Sequence, residues 1–143
     1  MEVSQVSIFL ENRSGGLADV ADVLARNGVD MKAVSVADMS DFGILRLIVD
    51  DAERTRGVLK DAGFTVDKTE VVAVEVPDRP GGLADTLRAL TTGGVNVEYM
   101  YSAARKSGER AVIIFRFDDA RKAADVLRRA GVKVIDRLDD FPQ

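Results

Sequence analysis

The chain has no cysteine, no histidine and no tryptophan. Without cysteine there can be no disulfide framework and no thiolate chemistry. Without histidine it lacks the commonest general acid–base at neutral pH and the commonest metal ligand. Long apolar runs are missing too. None approaches the ~20 residues needed to span a bilayer, so no membrane partner is expected. The start, Met1-Glu2-Val3-Ser4-Gln5, has no basic segment like that of a signal peptide, and cytoplasm is the expected location. Clustered positive charge is equally scarce. Twenty Lys and Arg are scattered among 24 Asp and Glu, for a net charge of −4. The basic pairs Arg105-Lys106 and Arg128-Arg129 have no aromatics interleaved around them. Counterion release from nucleic acid needs a clustered basic face, so no nucleic-acid partner is expected.

Catalytic constellations are absent in the same way. No Ser/His/Asp, Cys/His or metal-spaced cluster occurs, and the Gly-Gly pairs lack the spacing of a dinucleotide or P-loop site. The acid pairs Asp50-Asp51 and Asp118-Asp119 open predicted helices, where carboxylates meet the dipole favourably. Asp139-Asp140 falls in a polar C-terminal stretch. The sequence predicts a non-enzyme with no catalytic residue, no metal ligand and no cofactor.

What is present is a repeat. The block Glu11-Asn12-Arg13-Ser14-Gly15-Gly16-Leu17-Ala18-Asp19 returns as Pro77-Asp78-Arg79-Pro80-Gly81-Gly82-Leu83-Ala84-Asp85. From position 6 to 29, a shift of 66 leaves ten residues identical: Val6, Arg13, Gly15, Gly16, Leu17, Ala18, Asp19, Leu24, Gly28 and Val29. After a two-residue insertion near Arg105-Lys106-Ser107-Gly108 the shift becomes 68. Asp50-Asp51-Ala52 then matches Asp118-Asp119-Ala120, and Ala62-Gly63 matches Ala130-Gly131. This is an internal duplication, with expected domains at 1–70 and 71–143. A chain of half this length buries only about 60% of its unfolded surface and is marginal alone. Packing of the halves on each other or on a second chain is therefore expected.

Each copy opens with a two-residue apolar period: Val6, Ile8 and Leu10, then Val72, Val74 and Val76. The Gly-Gly turn follows, and then helical spacing at Leu17, Val20, Ala21 and Leu24 or at Leu83, Leu87 and Leu90, where Thr86 takes the remaining slot. In the first copy the pattern predicts strand 3–11, a helix to 26, strand 30–37, a turn at Met39-Ser40-Asp41, strand 42–50, helix 51–62 and strand 64–70. Asn27-Gly28 and Gly63 are the helix stops. The second copy repeats the order. Strand, helix, strand, strand, helix, strand is the split βαβ, or ferredoxin-like, topology. The fold class is α+β: two βαββαβ domains in tandem, each an antiparallel sheet with both helices on one face. Leu45, Leu47 and Val49 are expected to face the helices while Arg46 faces away. Ile113, Phe115, Phe117 and Arg116 should do the same in the second copy.

Asp-Arg-Pro-Gly-Gly-Leu at 78–83, opening a helix that ends in Gly-Gly-Val-Asn-Val at 93–97, resembles the ACT domain. Asn12 to Leu17 with Asn27-Gly28-Val29-Asp30 resembles the same motif. Phe42-Gly43-Ile44-Leu45-Arg46 and Glu98-Tyr99-Met100-Tyr101 look like the small stand-alone tandem ACT proteins of bacteria and archaea. The resemblance covers essentially the whole chain and implies regulatory, allosteric binding of a small molecule, usually an amino acid, at an interface between two ACT units. There the loop after strand one of one unit meets the start of strand two of its neighbour. Carried over, the loop residues are Asn12, Ser14, Gly15, Gly16 and Leu17 in one copy and Asp78, Gly81 and Gly82 in the other. The strand-two residues are Asp30 and Met31, and Asn96 and Val97. The first loop departs from the family pattern, with Asn12 for Asp and Ser14 for Pro, so the two sites need not be equivalent.

If each loop meets the other copy's strand, Asn12 pairs with Asn96 and Asp78 with Asp30. An amide pair can donate to a carboxylate and accept from an ammonium, which suits a zwitterion. Two carboxylates would repel the ligand's own. One competent site is expected, with Gly15 and Gly16 offering backbone N–H groups. Against this stands helix capping: Asn12, Ser14 and Asp78 are all good caps, worth about 1 kcal/mol each. Tyr99 and Tyr101 share one strand face and Met100 takes the other; packing is the first expectation for them, as for Ile44 and Phe42. Tyr99 and Ile44 would otherwise suit an apolar or aromatic amino acid. Two functions stay open: an amino-acid sensor, or a ligand-free interaction module docking on a metabolic enzyme. Sheet edges and one sheet face need cover, so a homodimer is expected.

Overall fold

The computed structural model describes residues 3–37, 40–103, 110–138 and 141. The insertion near 105–108, Met39 of the first predicted turn and the pair Asp139-Asp140 lie outside the described residues. Two compact units emerge, one of Ser4–Thr69 and one of Glu70–Gln143 together with Met1–Val3.

In the first unit β1 (Ser4–Glu11) leads to α1 (Gly16–Arg26), β2 (Met31–Ala37), β3 (Phe42–Val49), α2 (Ala52–Asp61) and β4 (Thr65–Glu70). The second runs β5 (Val72–Pro77), α3 (Gly82–Thr92), β6 (Val97–Ser102), β7 (Arg110–Phe117), α4 (Ala120–Arg129) and β8 (Lys133–Ile135). The sheet orders are β2-β3-β1-β4 and β6-β7-β5-β8. This is the ferredoxin-like arrangement twice over.

Alternation along the strands decides which side each helix pair covers. Val6, Ile8, Leu10, Leu45, Leu47 and Val49 join Val20, Val23 and Leu24 of α1 and Leu59 of α2 in one core. Ile113, Phe115 and Phe117 join Leu90 of α3 and Leu127 of α4 in the other, where Phe115 and Phe117 stack at 5.2 Å. Each fully buried Leu, Ile or Phe side chain contributes about 1.5–3 kcal/mol of transfer free energy. Arg46 and Arg116 fall on the opposite face, as the pattern predicts. Asp51 and Asp119 cap α2 and α4, accepting from the backbone N–H of Arg54 at 3.0 Å and Lys122 at 3.1 Å. Past the helix ends, Gly28, Gly63, Gly94 and Gly131 all take positive φ, as left-handed stops.

Both copies slip register at the start of strand two, between Met31 and Ala33 and between Val97 and Tyr99. Beyond the slip Tyr99 lies opposite Arg116 and Tyr101 opposite Ile114, on the helix-free face, while Met100 lies opposite Phe115 on the helix side. No helix of the described residues is long and apolar enough to cross a membrane.

Candidate functional site

The Gly-Gly turns are built alike in both units. Gly15 and Gly81 are the helix N-caps, held at φ 85° and 88° in the left-handed region, where a Cβ is strained. Neither helix receives a side-chain cap. The N-cap position itself is taken by a left-handed glycine, so none of Asn12, Ser14 and Asp78 stands there. Gly16 and Gly82 donate their N–H groups inside the turn, to Arg13 O at 3.2 Å and Arg79 O at 3.0 Å. The Gly16 N–H, expected to face a ligand, is engaged within the turn in this structure. The donors left at the helix entrance are the other first-turn N–H groups, which have no intrahelical partner.

An arginine folds over each turn. Arg13 Nη1 donates to Ser14 O at 3.3 Å and its Nη2 reaches Asp19 Oδ2 at 2.8 Å. Arg79 Nη1 donates to Pro80 O at 3.2 Å, and its Nη2 stands 3.8 Å from Asp85 Oδ2. In the second unit Asp85 is shared with Arg88 at 3.0 Å, which loosens the first contact. Both ion pairs are exposed and weak as stability terms, but each fixes the path of the loop. The signal for this clamp lies in the repeat itself, where Arg13 and Asp19 both recur unchanged at 79 and 85.

Asn12 ties the first turn to the β2–β3 connection. Its backbone N–H donates to Asp41 O at 2.8 Å and its Nδ2 to Ser40 O at 2.7 Å. Ser14 and Asp78 are exposed. Leu17 stands 43% exposed beside the first turn, whereas its counterpart Leu83 packs against the second core.

The strand-two residues sit elsewhere in each unit. Glu11 pairs with Phe42, but Met31 pairs with Val49, seven residues further along β3. At ~3.3 Å per residue the loop and the start of strand two are roughly 23 Å apart. The second unit repeats this, with Pro77 opposite Arg110 and Val97 opposite Phe117. Within one unit the structure does not bring the two halves of the predicted site together. Asp30 is exposed and pairs with Lys32 at 3.0 Å. Asn96 is exposed, its N–H bound to Asp118 Oδ1 at 3.1 Å and its carbonyl accepting from Asp118 N at 3.2 Å. Tyr99 and Ile44 are half-buried on helix-free faces, away from the helix entrances.

Beside the second turn lies a cavity of about 590 Å³, lined by Gly82, Asp85, Thr86, Glu75, Arg110 and Lys133 among others. It opens because β8 pairs with β5 only as far as Glu75. Thr86 is buried there and donates to Gly82 O at 3.2 Å. Glu75 is flanked by Arg110 at 3.6 Å and Lys133 at 3.3 Å. Away from both turns, hydrogen bonds from Lys68 and then Arg56 hold the Glu53 carboxyl below the usual carboxylate range. Among the described residues no group of three or more acidic side chains is placed to hold a metal ion.

Comparison with known proteins places this geometry. The family model of the ACT domain pair matches residues 1–140. The protein BT0572 of Bacteroides thetaiotaomicron has a similar structure, with a TM-score of 0.87 and 41% identity over 93% of this chain and 92% of that one. The ligand-free regulatory subunit of aspartate kinase from Thermus thermophilus shares the fold, with a TM-score of 0.67 and 17% identity over 91% and 93%. A C-terminal regulatory domain of aspartate kinase from Porphyromonas gingivalis does so at a TM-score of 0.56 and 18% identity, over 90% and 91%. No curated protein sequence matches.

Proposed function

The chain belongs to the ACT family as a domain pair, and from that premise we propose that it is a regulatory protein that senses a free amino acid. ACT domains regulate rather than catalyse. The fold-level likeness to regulatory parts of aspartate kinase supports the same role here. One observation carries the reading: the same arginine-clamped Gly-Gly turn stands twice before a helix with no side-chain cap. An uncapped helix entrance presents N–H groups and the positive end of the dipole to a carboxylate.

Loop and strand-two start lie at opposite ends of each sheet, which supports a site completed by a second ACT unit. The Asn12 loop is the better candidate. Asn12 Nδ2 is held by Ser40 O, and an amide at each of positions 12 and 96 suits a zwitterion, since amides both accept from an ammonium and donate to a carboxylate. A site of Asp78 and Asp30 would set two carboxylates near the ligand's own, only partly offset by the exposed Lys32.

The test is thermal unfolding of the full chain with each free amino acid in turn. A ligand at about 100 times its Kd adds about 2.7 kcal/mol of stability. One amino acid should raise the transition, and Asn12→Ala or Asn96→Ala should remove the rise. Unchanged affinity in both variants would overturn the site. A flat response across the panel would favour the docking module on a metabolic enzyme instead.

A further inference from the structure

Three sequence positions that hold an ion cluster in the second unit hold apolar or neutral side chains in the first. Glu75, Arg110 and Lys133 correspond, by the shifts of 66 and 68, to Phe9, Phe42 and Thr65. In the second unit the carboxylate sits between two cations and is only 15% exposed. In the first, the Phe9 and Phe42 rings stack at 5.2 Å with 19° between their planes, yet remain 52% and 49% exposed. Beside them an open cavity of about 360 Å³ is lined by Ser7, Phe9, Ile44, Thr65 and Asp67, together with Ile8 and Val66, whose side chains belong to the core side. These five side chains share the helix-free face. Phe9 pairs with Ile44, the adjoining Val6, Ile8 and Leu10 enter the core, and Val66 turns toward the helices.

We propose that this hollow is a second small-molecule site, one that takes an ammonium ion carried on an aromatic or branched apolar body. A half-exposed aromatic pair beside a concave, mostly apolar surface with a few polar groups is the usual make-up of a ligand pocket, and this one lies at the small end of the range. Among the described residues Asp67 supplies the only charge in the lining, a carboxylate that accepts from Lys68 N at 2.9 Å. The Lys68 ammonium itself turns away to Glu53 at 2.9 Å. Arg46, opposite Ser7 on β3, does not line the hollow. The Phe9 ring and Asp67 therefore both favour a cation, and among the described lining residues no cation greets a carboxylate. Ser7 accepts from Gln5 Nε2 at 3.1 Å, so its own proton is directed elsewhere and can serve a polar substituent of the guest. The hollow faces away from the helix entrance at Gly16, and its occupant does not depend on the amino-acid reading.

The experiment uses the full chain and three probes of one shape: 2-phenylethylamine, 2-phenylethanol and 3-phenylpropionate. Amide resonances of Ser7, Phe9, Ile44, Thr65 and Asp67 should shift saturably with the amine, more weakly with the alcohol and not with the acid. Asp67→Asn should weaken the amine about tenfold, the worth of one charge-assisted hydrogen bond, and leave the alcohol unchanged. Grafting the second unit's cluster through Phe9→Glu, Phe42→Arg and Thr65→Lys should abolish binding. Thr65→Lys alone, at an exposed position, repeats that test with little risk to folding. Equal binding of amine and acid, no saturable shift, or binding that survives Thr65→Lys would each overturn the proposal. None of these changes touches Asn12, Gly16 or Asn96, so the site fails or stands apart from the sensing role.

Discussion

At the second glycine of the two turns, the same sequence meets different surroundings. A methyl group built on Gly16 would lie 3.5 Å from Glu11 O, an ordinary contact. Built on Gly82 it would lie 2.1 Å from Pro77 O, inside the backbone. The cause is the preceding residue. Glu11 O bends back to accept from Arg13 N at 3.0 Å, whereas among the described residues no bond from Arg79 N holds Pro77 O, and that carbonyl faces the helix. Two identical Gly-Gly pairs thus have different reasons to be glycine. A repeated motif can be tightly packed in one copy and leave room in the other.

The largest test of that contrast is a pair of variants. Gly82→Ala should destabilise the chain by more than about 3 kcal/mol in urea denaturation, because backbone must move. Gly16→Ala should stay within about 1 kcal/mol of the parent. Equal losses would remove the contrast. A smaller effect is expected where helix one of each unit ends. Gly93 would place a Cβ 2.6 Å and 2.7 Å from the two methyls of Val126, while its counterpart Asn27 has room and donates to Val23 O at 2.8 Å. Gly93→Asn should cost about 1–3 kcal/mol by overpacking. Adding Val126→Ala should recover part of the loss, and purely additive costs would refute the clash. The smallest effect concerns the second helices. Thr55 is fully buried with no hydrogen-bond partner for its Oγ1 among the described residues, and its counterpart is Ala123. Thr55→Val should be neutral or stabilise by up to about 1 kcal/mol, since an unsatisfied hydroxyl is removed at constant shape. A clear loss in the thermal transition would show that the hydroxyl does bond.

Element order and both cores were legible in advance because they rest on period. Val6, Ile8 and Leu10 alternate, and the duplication checked each assignment against a second instance. The acidic pairs marked the starts of α2 and α4 through the helix dipole, and the structure adds that Asp51 and Asp119 are their N-caps. At the turns local propensity misled: Asn12, Ser14 and Asp78 are good capping types, but a left-handed glycine had already taken the cap. The arginine clamps were missed because Arg13 and Asp19 are six apart and meet only when the turn brings them together. The Phe9–Phe42 stack needed strand pairing to place those residues side by side. The shifts of 66 and 68 align Glu75 and Arg110 with those positions, but only the fold shows that each pair meets in space.

The one-residue slip at the head of strand two has a consequence for how such a protein can change its preferences. Lys32 and Glu98 are the extra residues, and after them the alternation restarts in step with β3 and β7. The slip acts as a phase break: side chains before it can be re-aimed without turning the rest of the strand inside out. Asp30 and Met31, or Asn96 and Val97, can therefore be exchanged while Ala33 or Tyr99 onward keeps its place. The head of the strand is free to explore new chemistry on a sheet that stays put.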